Sequence, residues 1–305
     1  MNYLYSVVDA FSELPFGGGK AVIMKSSSSD ENRGALMRAY GRIVTRLRGR
    51  YFTAEDVGTS CEDMEDVSKE TKYIFGLSGT SGDPSPHTAL GVFLGIQASV
   101  EERFGIDSLA GLRVVVQGVG NVGYHLCALL HRHGASLLVS DLDRRALARC
   151  EQEFGATIVD PDACYDCDAE VYAPCALGAT VGPQTLERLK VGVIAGSANN
   201  QLQDDSMASL IGEKGILYAP DYLINAGGIV NIACEMDGGY CADRAHQEVS
   251  KIGARIRQLF ARSRQEGVDT LAIANRMARE RFERCPGVGG GVSILSPVHP
   301  GTMLV

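Results

Sequence analysis

Apolar positions early in the chain repeat at helical spacing. Leu36, Tyr40, Ile43, Val44 and Leu47 fall three or four residues apart, predicting an amphipathic helix over about 31–48 that Gly49 stops. A second pattern, with Val92, Phe93, Ile96 and Val100 on one face, predicts a helix over about 87–104. Pro84 and Pro86 stand just before it, where prolines are tolerated. The period then changes. RVVVQ at 113–117 and SLLVS at 136–140 are short, continuous apolar runs, and further runs lie at 170–173, 191–195 and 216–218. A glycine turn and a helix to about His133 follow the first run, and a helical pattern at 144–154 follows the second. Continuous apolar strands alternating with helices indicate a parallel sheet covered on both faces.

This organisation predicts four parts. Residues 1–82 form a first, partial α/β domain, with a polar loop at 26–29; residues 83–240 form the sheet domain. Residues 241–284 are C-terminal helices with Ile252, Ile256, Leu259 and Phe260 as their buried stripe. Residues 285–305, rich in Gly and Pro without a period, read as a disordered tail. Composition narrows the function. Twenty-nine basic against 37 acidic residues give a net charge of −8, which argues against nucleic acid as a partner, since phosphates call for a basic face. No apolar run is long enough to span a membrane, and no basic segment followed by a cleavage pattern opens the chain. Nine scattered cysteines do not suggest a disulfide framework, so a reducing cytoplasm is expected.

Gly118-Val119-Gly120-Asn121-Val122-Gly123 follows the strand RVVVQ and opens a helix. A GxGxxG alone is weak, but here strand, glycine turn, helix, next strand and acid occur in order. Gly118 suits a tight turn, Gly120 lets backbone N–H groups approach a pyrophosphate, and Gly123 lets the helix pack close to the sheet. The helix N-terminus adds partial positive charge. Asp141, at the end of the second strand, suits the ribose hydroxyls and would repel a 2′-phosphate. NAD is therefore favoured over NADP, with Arg144 and Arg145 nearby weakening that preference. The fold expected is a Rossmann-type, doubly wound α/β sheet.

Two constellations lie before it. PFGGGKAVI at 15–23 sets Lys20 after three glycines: either a tight turn with a solvated lysine, or a half-buried amine with a depressed pKa. TAEDVGT at 53–59 sets an acidic pair beside a glycine, which by itself also suits a helix cap or a solvated loop.

Together with SGDPSPHTALGVFLGIQA (81–98), YAPCALGATV (172–181), VIAGSANNQL (193–202) and YAPDYLINAGGIVNIACE (218–235), these segments resemble the Glu/Leu/Phe/Val dehydrogenase family, closest to its leucine dehydrogenase branch. The resemblance runs in order over nearly all of 13–284. It implies an NAD-dependent oxidative deamination of an apolar branched-chain L-amino acid to its 2-oxo acid and ammonia. Lys20 matches the family's catalytic lysine and Asp56 its proton-shuttling aspartate. Thr88 matches a residue near the nicotinamide. Gly118, Gly120, Asn121, Val122, Gly123 and Asp141 match the dinucleotide fingerprint. Ala176, Asn200 and Asn225 match positions bordering the cofactor. Gly18, Gly19, Ile229 and Ile232 match the substrate pocket, where aliphatic residues suit an apolar side chain. The resemblance also implies a homo-oligomer. Relative to the family the chain lacks the usual N-terminal part, residues 1–12 match poorly, and Val8 stands where the family carries the lysine that holds the substrate carboxylate. The rival readings are an impaired NAD-binding remnant or subunit, or the same chemistry on phenylalanine, valine or tryptophan. Cys164-Tyr165-Asp166-Cys167 lacks a second ligand pair, so it reads as ordinary reduced cysteines and no metal is expected.

Overall fold

The structure is a computed structural model and describes residues 19–24, 32–56, 58–235 and 239–284. The 26–29 loop, Val8, Gly18 and the 285–305 tail lie outside these residues. Helix α1 (Arg33–Arg46) and helix α2 (Cys61–Ser68) pack together in the first segment around Met37, Met64, Val67 and Ile74. The α1 pattern needs one correction. Its contact with α2 centres on Met37, Gly41 and Val44, while Ile43 is 55% exposed. The reason is Gly41: a Cβ there would stand 2.6 Å from the Val67 carbonyl, so only glycine lets the two backbones approach. Arg48 and Gly49, both at positive φ, turn the chain after α1.

Helix α3 (Ser85–Phe104) leads into the sheet domain. The strands are β1 (Arg113–Gln117), β2 (Ser136–Ser140), β3 (Thr157–Ile158), β4 (Val171–Pro174), β5 (Val193–Ile194) and β6 (Leu217–Tyr218). They form one six-stranded sheet in the order β3-β2-β1-β4-β5-β6, with every pair parallel. Successive residues point to opposite faces of a strand. Accordingly Val114, Val116, Val171 and Ala173 enter one core, and Val115, Tyr172, Ile194 and Tyr218 enter the other. Helices α4 (Asn121–Arg132) and α5 (Arg144–Phe154) are the crossovers of β1 and β2. A 3₁₀ turn (Ala163–Asp166), α6 (Pro183–Arg188) and α7 (Met207–Glu213) lie in the later connections. Two short helices, α8 (Asp221–Ile224) and α9 (Gly227–Ala233), follow β6.

Helices α10 (Ala242–Glu266) and α11 (Thr270–Arg284) complete the described chain. Ile252, Ile256, Leu259 and Phe260 of α10 are all buried, in the same core as Val92 and Ile96 of α3 and Val114 of β1. The C-terminal helices therefore share the sheet domain's core. Gly91 and Gly95 allow α3 to lie close beneath α8: a Cβ at either would stand within 2.5 Å of Ile224 atoms.

Candidate active site

In an open parallel sheet, ligands bind beyond the carboxyl ends of the strands where the strand order reverses. Here that point lies between β1 and β4, the inner strands from which the order runs outward in both directions. The cofactor residues expected from sequence form a continuous rim there. Gly118 follows β1 at φ +96°, and its Cβ position lies 2.6 Å from the Ala176 nitrogen, which follows β4. A Cβ on Gly123 would meet the Gly118 carbonyl oxygen at 2.0 Å. Gly120 differs from both. A Cβ there meets nothing within 4 Å, and Gly120 and Asn121 are exposed. Gly120 is the N-cap of α4, and no side chain among the described residues caps that helix. Its first-turn N–H groups are thus open to an anion, with the helix dipole behind them. Val122 lies half-buried beside them.

Asp141 follows β2 and accepts hydrogen bonds from the Val119 N–H (2.7 Å) and the Asp143 N–H (2.9 Å). The acid is thereby fixed beside the glycine turn. Along the other side of the rim, Ala179 donates its N–H to the Asn200 carbonyl (2.6 Å), joining the loops after β4 and β5. Asn200 is exposed and at positive φ. Asn225 donates from Nδ2 to the Ser197 carbonyl (3.2 Å) and to Asn199 Oδ1 (2.6 Å), joining the β5 loop to the α8–α9 segment. That segment meets α3 at Thr88: a Cβ on Gly228 would lie 2.6 Å from Thr88 Oγ1. Every cofactor residue named from sequence is thus on one rim.

Sequence reasoning passed over what holds this rim. Buried Gln201 donates from Nε2 to the Gly196 (2.7 Å) and Ala198 (3.0 Å) carbonyls, and its N–H donates to buried Asp221 (2.9 Å). Burial raises the Asp221 carboxyl's pKa, against the opposing pull of the backbone N–H groups it accepts. The signal in the sequence was an uninterrupted ANNQ after an apolar strand, which carries no period.

Lys20 and Asp56 form an ion pair, with Lys20 half-buried and Asp56 about half exposed. Burial lowers the Lys20 ammonium's pKa. The Asp56 backbone is clamped by Thr59, which accepts from the Asp56 N–H (2.9 Å) and donates its hydroxyl to the Asp56 carbonyl (2.7 Å). Arg33 steadies the same turn, donating to the Gly58 carbonyl (2.6 Å) and to both oxygens of Asp63 (2.6 and 2.7 Å). The Arg33 guanidinium in turn holds the Asp63 carboxyl below its usual range. Beside the pair, Cys61 donates its thiol to Glu55 (3.0 Å), which pushes that thiol up to about 11. Gly19 packs against the Tyr51 ring, with its Cβ position 3.0 Å from ring carbons. Ile229 and Ile232 sit one turn apart on α9, both half-buried between the fully buried Val230 and Asn231 and the helix end. The Cys164 and Cys167 thiols donate to the Pro161 (3.1 Å) and Ala163 (3.6 Å) carbonyls.

The model of the Glutamate/Leucine/Phenylalanine/Valine dehydrogenase family matches residues 79–147 and 139–284. The model of the Glu/Leu/Phe/Val dehydrogenase dimerisation domain matches residues 4–73. The match to this second model begins at residue 4. The chain is 47% identical over 296 residues to leucine dehydrogenase of Geobacillus stearothermophilus, covering 94% of this chain and 80% of that one. It is 44% identical over 274 residues to L-tryptophan dehydrogenase of Nostoc punctiforme, covering 90% of this chain and 77% of that one. The crystal structure of an L-tryptophan dehydrogenase from Nostoc punctiforme superposes with a TM-score of 0.78 at 41% identity, over 92% of this chain and 80% of that one.

Proposed function

Since the chain belongs to the Glu/Leu/Phe/Val dehydrogenase family, we propose that it is an NAD-dependent dehydrogenase that oxidatively deaminates an apolar branched-chain L-amino acid. The observation that carries this reading is the rim at the switch point, with an uncapped helix N-terminus, an open Gly120 and a fixed Asp141. The first-turn N–H groups of α4 suit a pyrophosphate, and the Asp141 carboxylate suits two ribose hydroxyls and disfavours a 2′-phosphate. When bound, the nicotinamide would accept the hydride from the substrate Cα. Thr88, Ala176, Asn200 and Asn225 would border it.

The proton work falls to the Lys20–Asp56 pair. The substrate's ammonium must lose a proton to become a free amine before its Cα gives up hydride, and the resulting iminium must then take up water. Asp56, about half exposed, is suited to take the amino proton. Lys20, whose charge is disfavoured by burial, is suited to draw a proton from the attacking water and return it. Gly18 and Gly19, with Ile229 and Ile232, would form the side-chain pocket, where the two isoleucines suit an apolar substrate side chain. We assign residues 1–82 to substrate binding, 83–240 to the cofactor and 241–284 to the cofactor domain's support, and expect a homo-oligomer. The L-tryptophan dehydrogenase relative keeps a larger aromatic substrate as the second reading. The test is NADH formation with a panel of L-amino acids, after NAD binding is established by calorimetry. Preference for leucine, isoleucine or valine supports the proposal. NAD binding without turnover on any member supports the impaired-remnant reading instead.

A further inference from the structure

The connection between the Lys20–Asp56 segment and the cofactor rim is gathered on one carboxylate oxygen. Glu235, two residues past α9, accepts at Oε1 from the Gly76 N–H (2.9 Å), the Ser81 N–H (3.1 Å), the Thr80 hydroxyl (3.1 Å) and the Ser81 hydroxyl. All four donors lie in the six residues 76–81, more than 150 positions away in sequence. Asn231, fully buried on α9, adds a bond from Nδ2 to the Ser81 carbonyl (3.3 Å) and is itself fixed by the Tyr240 hydroxyl (2.9 Å).

What the 76–81 turn joins gives the bond its meaning. Upstream, Phe75 donates its N–H to the Thr53 carbonyl (2.9 Å), Thr53 donates its own N–H to the Tyr73 carbonyl (3.1 Å), and Phe75 stacks on Phe52. The strand-like piece that leads directly to Asp56 is therefore braced against residues 73–75. Downstream, the turn runs into α3, which carries Thr88. Glu235 itself stands two residues after the helix that carries Ile229 and Ile232. One anion thus ties together the approach to the proton-transfer pair, the start of the cofactor-bordering helix and the pocket wall. Bonds to an ionised acceptor are roughly twice as strong as neutral ones. Gathering them on one atom makes the turn a defined joint rather than a free linker.

We infer that Glu235 is a positioning residue for the dehydrogenase reaction: it sets where the Lys20–Asp56 pair stands relative to the cofactor rim. The inference rests on the function proposed above. It predicts damage to the chemical step without damage to cofactor binding, because none of its partners belongs to the glycine turn or to Asp141. A displacement of about 1 Å at a reacting group can cost about 100-fold in rate.

Two measurements on the full-length protein test this. Amide hydrogen exchange comes first. In Glu235→Ala, protection at Gly76 and Ser81 should fall selectively, while β1, α4 and α10 stay as protected as before. Steady-state kinetics come second. Glu235→Ala should lose about 100-fold in kcat, and Glu235→Gln, which keeps size and an acceptor oxygen but not the charge, about 10-fold. The NAD dissociation constant should stay within about twofold in both. A kcat unchanged within twofold would overturn the inference. So would parallel loss of kcat, NAD affinity and protection across the whole sheet, which would mark Glu235 as a general stabiliser. If the unaltered protein binds NAD and turns over no amino acid, the functional reading fails and takes the catalytic part of this inference with it. The joint itself is then judged by exchange alone: selective loss at 76–81 upholds it, and no loss overturns it.

Discussion

The glycine turn makes a prediction in which the same substitution at two neighbouring sites gives different outcomes. A methyl group at Gly120 has open space, with nothing within 4 Å of its ideal position, and the backbone there (φ −66°, ψ −158°) is one that alanine adopts. For Gly120→Ala, the loss of a better N-cap costs roughly 0.5 kcal/mol, and the stiffer unfolded chain returns a similar amount. The net change in stability should be about 0.5 kcal/mol or less, or about 1–2 °C in melting temperature. That methyl would nonetheless stand between the α4 N–H groups and a bound pyrophosphate. Loss of one such charge-assisted bond is worth about 1.5–3 kcal/mol, so NAD should bind about 10- to 100-fold more weakly. At Gly123 a methyl would meet the Gly118 carbonyl oxygen at 2.0 Å, and backbone must move. Gly123→Ala should therefore lose about 1–3 kcal/mol of stability as well as NAD affinity. Thermal melts and calorimetric titration with NAD separate the two. Gly120→Ala that binds NAD as tightly as the unaltered protein would refute the placement of the pyrophosphate. Gly120→Ala that melts as early as Gly123→Ala would refute the open space.

Four further outcomes follow from the site. Lys20→Ala and Asp56→Asn should each lower kcat by about 100-fold or more with NAD affinity within twofold, since general acid–base groups contribute about 10²–10⁴. Because burial lowers the Lys20 pKa, its free amine forms at lower pH than usual, so the deamination rate should rise with pH through a midpoint below 10.5, and Lys20→Ala should lose that limb. Asp141→Ala should weaken NAD by roughly tenfold and narrow the NAD-to-NADP ratio of kcat/KM, as the carboxylate that meets the ribose and repels a 2′-phosphate is removed. Ile232→Ala, which deletes apolar carbons from a half-buried wall, should raise the phenylalanine-to-leucine ratio of kcat/KM several-fold at about 0.8 kcal/mol per methylene. An unchanged ratio in initial-rate assays would remove Ile232 from the pocket.

How much of this was legible in the sequence differs by element. The strands RVVVQ and SLLVS and the helix at 144–154 fall on the observed β1, β2 and α5, because strands buried on both faces must be continuously apolar. Strand β3 was not legible: Thr157 and Ile158 are both exposed, and only pairing with β2 makes them a strand. Helices α8 and α9 are short and mostly buried, so no polar face gave them a period. On α1 the expected stripe was off by part of a turn, since a glycine contact leaves no apolar signature. The glycine fingerprint could be assigned residue by residue because each glycine has its own steric reason. Pairing of Lys20 with Asp56 could not come from spacing; it came from resemblance to a family. Glu235 was out of reach altogether, because its four donors are brought to it only by the fold.

The measurement that bears most directly on the whole account is NADH formation, followed by nicotinamide absorbance, when the purified protein is given NAD and L-leucine, beside the Lys20→Ala variant. The account predicts steady NADH formation with stoichiometric release of ammonia, and its collapse in the variant while NAD still binds. An unaltered protein that binds NAD yet forms no NADH with leucine, isoleucine or valine would contradict it.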